Sequence, residues 1–327
     1  MKKTFKALFS VVMVIVMAIG ILAMSGCGGN GASAGAPDKI VMTYVSAPLN
    51  VPSILDQKQG TYKDAFAGKG IAVEYSDLTS GADQIAALES GDIQILNAVG
   101  GSSVLIAAAN NSDIVILSMY STAPGAFAMY SNDENINSPE DLRGLTIAGP
   151  KGTNLHELLA AYLATAGMTT ADVDYVSMDI PSASAALEGG SIDVALLGGA
   201  ASYNAAAAGK HMICDGEGLI AATICTATTR KYADENPEII KTFLDTQNEI
   251  VNIMNENPQD AIRITAEALT LEESAVTDMY EMYDFSTEIT NEDIEDLKNT
   301  EQFLYDSGMI ESHVEVDSII YDRNLIR

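Results

Sequence analysis

The stretch AALESGDIQI (residues 86–95) lies against AALEGGSIDV (residues 185–194), 99 residues further along the chain. The register then holds without a gap. GGSS (100–103) meets GAAS (199–202), Ala107–Ala109 meets Ala206–Ala208, and Ile114 meets Ile213. Each copy reads as a helix end, a glycine stop, an apolar strand, a glycine turn and a small-residue helix. Gly91 fits the stop, because a left-handed residue after a helix costs glycine least. A helix–strand–helix unit used twice predicts two similar α/β lobes, each with helices on its sheet.

Outward from the repeat, strands are predicted at Lys39–Tyr44, Ile71–Tyr75, Ile93–Leu96 and Ile114–Leu117, with helices at Ala82–Ser90, Ser102–Ala109 and Leu155–Ala166. Lobe one is expected over residues 38–122 plus 226–327, and lobe two over 123–225. Two strand-like linkers, Tyr120–Gly125 and the Thr-rich Ala221–Thr229, would join them. Two crossings make a hinge, and a hinge over a cleft permits closure on a ligand. From Tyr232 the texture is helical. Asn236-Pro237 and Asn257-Pro258 mark helix starts, and Thr270–Glu273 and Thr290–Asp293 read as capping boxes. This tail is expected to pack on lobe one.

The first residues address the compartment. Lys2, Lys3 and Lys6 precede an apolar run from Ala7 to Met24, followed by Ser25-Gly26-Cys27. Small residues before a cysteine read as a lipobox: residues 1–26 are a cleaved signal peptide and Cys27 is acylated, with a palmitate-type chain expected. A plain transmembrane anchor is the competing reading, since the run nears spanning length. Residues 27–37, rich in Gly, Ala and Ser, suit a flexible tether for a lipid-held domain. The protein is therefore expected on the outer face of the cell membrane.

The formal net charge is −28, and loss of the three leader lysines makes it −31. Such a surface does not seek nucleic acid or anionic lipid. Cys214 and Cys225 stand in apolar, strand-like surroundings, where a disulfide and two buried thiols are both open. Three scattered histidines (His156, His211, His313) offer no metal-ligand spacing, and no cofactor motif is present.

Binding has better support than catalysis. In open α/β sheets ligands sit beyond the carboxyl ends of strands, where helix N-termini present free N–H groups and partial positive charge. Four such places recur: Thr79-Ser80-Gly81, Asn97 to Ser102 with Gly100 and Gly101, Lys151-Gly152-Thr153-Asn154, and Leu197-Gly198-Gly199. Ser46 and Tyr120 complete the predicted site. Lys151 either adds a full charge or is a solvated surface lysine.

These residues resemble a known family. KGTNLH (151–156) resembles the helix start of the aliphatic-sulfonate, taurine and nitrate binding proteins of ABC importers, a group related to thiamine-precursor binding proteins. ALESGDI (87–93) with IAAA (106–109), DGEG (215–218), NPEIIKTF (236–243) and FLYDSGMI (303–310) are similar to further segments of that family. The resemblance covers roughly residues 39–322. It implies a type II periplasmic-binding-protein fold with one small, anionic or polar organic solute in the cleft, and a permease with its ATPase as partners. No Gly-x-Ser-x-Gly elbow, phosphate loop or paired metal ligands support catalysis, so no enzyme is expected, and a monomer is expected. Two departures stand at the expected cleft. Members often carry Trp-Asp/Glu-Pro where this chain has Leu197-Gly198-Gly199, and proline after the glycine where it has Gly101-Ser102-Ser103; this chain has no tryptophan. A thiamine-precursor-type heterocycle is the alternative ligand, with Tyr44, Tyr120 and Phe127 as stacking candidates. An enzyme on the same fold is a third reading, with Asp83 and Asp179 as its acid–base candidates.

Overall fold

The computed structural model describes residues 37–46, 48–78 and 80–321. The leader, Cys27, the tether up to Ala36, Ala47 and Thr79 lie outside the described residues.

The chain opens with β1 (Lys39–Thr43), α1 (Val51–Gln59), α2 (Thr61–Ala67), β2 (Ala72–Ser76), α3 (Gly81–Ser90), β3 (Leu96–Gly100), α4 (Gly101–Ala109) and β4 (Ile114–Thr122). A short turn leads into β5 (Phe127–Ser131), β6 (Thr146–Gly149), α5 (Asn154–Ala164), β7 (Asp174–Ser177), α6 (Ile180–Glu188), β8 (Val194–Gly198), α7 (Ala200–Ala207), β9 (His211–Asp215) and β10 (Thr223–Thr229). The tail holds α8 (Arg230–Glu235), α9 (Pro237–Glu256), α10 (Pro258–Leu269), α11 (Glu273–Tyr280), α12 (Asn291–Asp306) and α13 (Val316–Ile319).

The two lobes repeat one design. In one, β10 lies antiparallel between β3 and β4, and β1 pairs in parallel with β2. A parallel bridge from Met42 to Ile95 aligns that pair with β3. In the other the order is β7-β6-β8-β5-β9, with β5 antiparallel between β8 and β9. Each lobe's antiparallel strand follows a crossing of the chain. The units α3-β3-α4-β4 and α6-β8-α7-β9 keep the spacing of the sequence repeat: α3 and α6 start at Gly81 and Ile180, α4 and α7 at Gly101 and Ala200.

Three segments differ from the sequence expectation. The strand expected at Ile93–Leu96 lies later, at Leu96–Gly100. Gln94 and Ile95 instead donate their N–H groups to the Val41 carbonyl. The backbone of Asn97 is tied to β1, its N–H donating to Thr43 Oγ1 at 2.7 Å and its carbonyl accepting from the same hydroxyl at 3.2 Å. The Thr-rich linker is, from Thr223 onward, the central strand of its sheet. Thr226 and Thr228 are fully buried there, with hydroxyls paired to Ser118 and to the Gln94 carbonyl. β-branched residues suit a strand, and paired hydroxyls remove the cost of burying them. Thr270 does not open α11: with φ 57 it is the left-handed C-cap of α10, its N–H donating to the Ala266 carbonyl, and α11 starts after Glu272. The second expected box is present, with Thr290 and Asp293 bonding each other's backbone N–H.

The tail covers lobe one. α9 buries Ile239, Ile240, Phe243 and Leu244 in its first half, and Phe243 stacks on Tyr62 of α2 at 5.1 Å. α10 packs on α1, and α12 packs on α4. Cys214 and Cys225 are free thiols in different sheets, on β9 and β10. Burial pushes both thiols up to about 12. Among the described residues, no helix is long and apolar enough to cross a membrane.

Candidate functional site

A cleft of about 220 Å³ opens between the lobes. Its walls are helix starts. α1 contributes its N-cap Asn50, α3 contributes Gly81 and Gln84, and α4 is preceded by Gly100. From the other lobe come Thr153 and Asn154 at the start of α5, and Ile180 and Pro181 at the start of α6. The first turn of a helix leaves N–H groups without intrahelical acceptors and carries partial positive charge. Five helix starts facing one volume favour a polar or anionic group there. Val45, Phe127, Pro150, Leu155 and Ile224 supply apolar wall.

The lobes touch through a short polar seam at this cleft. Ser102 Oγ on α4 donates to Asn154 Oδ1 at 2.8 Å. Asn154 Nδ2 in turn donates to the Thr223 carbonyl at 3.1 Å. Ser103 Oγ donates to the Gly152 carbonyl. The seam needs a glycine at 81, where a β-carbon would stand 2.2 Å from Ser103 Oγ and 2.9 Å from the Gly152 carbonyl oxygen. At a second point the Ala200 N–H reaches the Pro48 carbonyl at 3.3 Å.

The predicted site residues divide by place. Ser46, Gly81, Gly100, Thr153 and Asn154 line the cleft. Ser80 accepts from the Asp83 N–H as the cap of α3, and Gly101, Ser102 and Gly152 lie in or beside the seam. Asn97 is buried in β3. Leu197 and Gly198 are buried in β8, and Gly199 packs on Pro48 rather than opening onto the cleft. Tyr120 sits in the core, its hydroxyl 2.8 Å from Ser53 Oγ. Lys151 is exposed and stands outside the cleft lining, which among the described residues holds Asp77 and no lysine or arginine. Of the stacking candidates, Phe127 reaches the cleft, while Tyr44 is edge-on to Tyr75 at 6.5 Å.

Sequence reading missed Asn50, Asp77, Gln84, Ala98 and the start of α6. Proline at the second position of α6 marks a helix N-terminus, so Ile180 and Pro181 were within reach of the rule that found the others. Ala98 carried no readable signal: it holds φ 82, a state L-residues rarely adopt. Gln84 is 3 % exposed; its Nε2 donates to the Leu78 carbonyl at 2.9 Å, and its Oε1 has no partner among the described residues. Of the two acid–base candidates, Asp179 has capping geometry. Asp179 accepts from the Ser182 N–H, and these hydrogen bonds hold its carboxyl below the usual range. Asp83 is exposed in the first turn of α3. No group of three or more His, Cys, Asp or Glu side chains that could hold a metal occurs among the described residues.

Comparison with known proteins decides the family. The sequence profile described as NMT1/THI5 like matches residues 52–261. The chain belongs to the NMT1/THI5-like family. This family member is 24% identical over 311 residues to a Bacillus subtilis (strain 168) protein named for aliphatic sulfonate binding, covering 94% of this chain and 93% of that one. It is 31% identical over 178 residues to the taurine-binding periplasmic protein of Escherichia coli (strain K12), covering 53% of this chain and 55% of that one. Among solved structures, the alkanesulfonate-binding protein SsuA from Xanthomonas axonopodis pv. citri, bound to MOPS, superimposes with a TM-score of 0.78 at 19% identity. That match covers 87% of this chain and 98% of the other. The NMT1/THI5-like chain thus has the type II periplasmic-binding-protein fold, two α/β lobes around a cleft.

Proposed function

We propose that the chain is a solute-binding protein that closes around a small organic solute and delivers it to an ABC permease driven by its ATPase. The observation that carries this reading is the convergence of five helix starts on one interlobe cleft. The cleft volume is below the roughly 300–1,000 Å³ of sites for drug-sized ligands, which suits a small solute. Helix starts around a cleft whose described lining holds no cationic side chain suit a weakly basic anion with charge spread over several oxygens, such as a sulfonate, held away from the Asp77 side of the wall. The names of the relatives agree with that class. Asp179 caps the start of α6, Asp83 is exposed, and the relatives named above are binding proteins, which supports binding and release without chemistry. Met24-Ser25-Gly26-Cys27 and the small-residue tether support a lipid anchor through Cys27 on the outer face of the membrane, and a monomer satisfies this role.

A heterocycle of the thiamine-precursor type is the second reading. It is favoured by Gln84 Oε1, an acceptor without a donor among the described residues, and by Asp77 on a wall that also carries Phe127. Calorimetry against taurine, ethanesulfonate, nitrate and an aminopyrimidine separates the two, with mass spectrometry of any co-purifying molecule. Saturable binding of a sulfonate supports the first reading. Binding of the pyrimidine alone moves the assignment to the second, and no binding by any of them rejects both.

A further inference from the structure

A second pocket, of about 490 Å³, lies where β4 leaves its lobe. Thr122, the last residue of β4, exchanges backbone N–H···O=C bonds with Asp284, both at 2.9 Å. The turn after α11 supplies one wall and the start of α12 another. The volume falls in the range of about 300–1,000 Å³ typical of small-molecule sites.

Five carboxylates line it: Glu281 and Asp284 by the turn, and Glu292, Asp293 and Asp296 on α12. Among the described residues the lining holds no lysine or arginine, and none of the five joins a salt bridge. The helix start accounts for two of them. Glu292 and Asp293 stand in the first turn of α12, where the dipole favours acids, and Asp293 closes the capping box with Thr290. That effect falls off within a turn and does not account for Asp296. Asp296 is half-buried, at i+4 from Glu292 and i+3 from Asp293, a spacing that sets like charges side by side. Burial, then the charges of Glu292 and Asp293, push its carboxyl up. Glu281 and Asp284, both exposed, add to the same field.

Ser121 is an independent sign of an occupant. It lines the pocket beside Met119, whereas Tyr120 between them turns its hydroxyl to Ser53. Ser121 is 1 % exposed, and its Oγ has no hydrogen-bond partner among the described residues. A buried hydroxyl is normally paired, because burying it unpaired costs free energy. The field of this pocket favours a cation, and an ammonium group is a cation that also donates hydrogen bonds.

The spread of the carboxylates selects the kind of cation. Among the described residues no three or more His, Cys, Asp or Glu side chains converge as a metal site requires. A point charge would leave most of these carboxylates unanswered. Separate ammonium groups joined by methylenes reach several of them, and Met119, Met282 and Pro124 offer the methylenes adaptable apolar wall.

We propose that this pocket binds an aliphatic diamine or polyamine, its ammonium groups set on Asp296 and on the Glu281–Asp284 turn, with one of them donating to Ser121 Oγ. The pocket shares no lining residue with the cleft, so the site does not depend on the function proposed above.

The test is calorimetry on the full chain at about 0.15 M salt, with 1,4-diaminobutane, n-butylamine and calcium chloride as probes. The diamine is expected to saturate a single site, roughly tenfold or more tighter than butylamine, because two charge-assisted contacts replace one. Asp296→Asn should weaken it roughly tenfold. Glu140→Gln, the same change in charge on an exposed residue of lobe two, should leave it unchanged. Ser121→Ala should weaken it about fivefold with no fall in melting temperature, because the hydroxyl removed has no partner among the described residues. Uptake that never saturates, or equal losses in Asp296→Asn and Glu140→Gln, would reflect the acidic surface at large and overturn the site. Diamine affinity untouched by Asp296→Asn and Ser121→Ala would overturn it too, as would calcium outcompeting the diamine at these residues.

Discussion

Gly199 lies so close to Pro48 that a β-carbon there would stand 1.7 Å from the Pro48 carbonyl oxygen and 2.1 Å from its carbonyl carbon. The two belong to different lobes, so their approach is part of closure. Gly199 also holds φ 54 with ψ −128, a backbone state open in practice to glycine alone.

Gly199→Ala is therefore expected to block this closed arrangement. The clash is with backbone, so no rotamer relieves it. Solute affinity should fall on the order of a hundredfold, equivalent to about 3 kcal/mol. X-ray scattering of the variant with saturating solute should show the larger radius of an open form. A variant that binds and compacts like the parent would remove Gly199 from the closing contact.

Asn154 links three parts of the seam, accepting from Ser102 and donating to the Thr223 carbonyl. Asn154→Ala leaves Ser102 without its acceptor and the carbonyl without its donor. A buried polar group left unpaired costs about 1–3 kcal/mol. Solute binding should weaken roughly 10- to 100-fold, with a smaller drop in melting temperature, because most of the lost bonding crosses between lobes. A large melting shift with unchanged affinity would make Asn154 a folding residue only.

How far the sequence reveals this site depends on what each residue type can announce. The repeat at residues 86–95 and 185–194 showed the two-lobed design, because helix stops and strands keep their spacing when side chains drift. Gly81, Gly100, Thr153 and Asn154 were legible as helix starts. Tyr120 was not: an aromatic near a crossing reads the same whether it faces ligand or core, and here Ser53 Oγ takes its hydroxyl inward. The Thr-rich β10 read as a linker because hydroxyls look polar until Ser118 and the Gln94 carbonyl are brought beside them.

Asp56 offers a control remote from ligand. Its carboxylate is 1 % exposed and accepts from the Tyr62 N–H at 2.8 Å and from the Tyr75 hydroxyl. Asp56→Ala strips both donors of their acceptor and is expected to cost about 2–4 kcal/mol. Urea unfolding should show that loss. Affinity for any bound solute, corrected for the unfolded fraction, should stay within about twofold of the parent, a factor worth ~0.4 kcal/mol. A specific loss of binding would mean that the loop after β1 senses this core.

His156 and Glu157 are adjacent, and burial moves them in opposite directions. His156 falls from 6.5 to about 4, and the Gly152 N–H donates to its Nδ1, which fits a neutral ring. Its contribution is present above pH 6.5 and is lost as pH falls toward 4, because the unfolded chain takes the proton first. Glu157 rises from 4.5 to about 7, so its contribution is present below pH 4.5 and is lost as pH rises toward 7. Between pH 4.5 and 6.5 the two slopes oppose, each about 1.4 kcal/mol per pH unit. Glu157→Gln removes one of them. Across that window the stability of this variant relative to the parent should climb with pH by about that slope. Urea unfolding at half-unit intervals measures it. Parallel profiles would mean that Glu157 keeps an ordinary carboxylate in the folded chain.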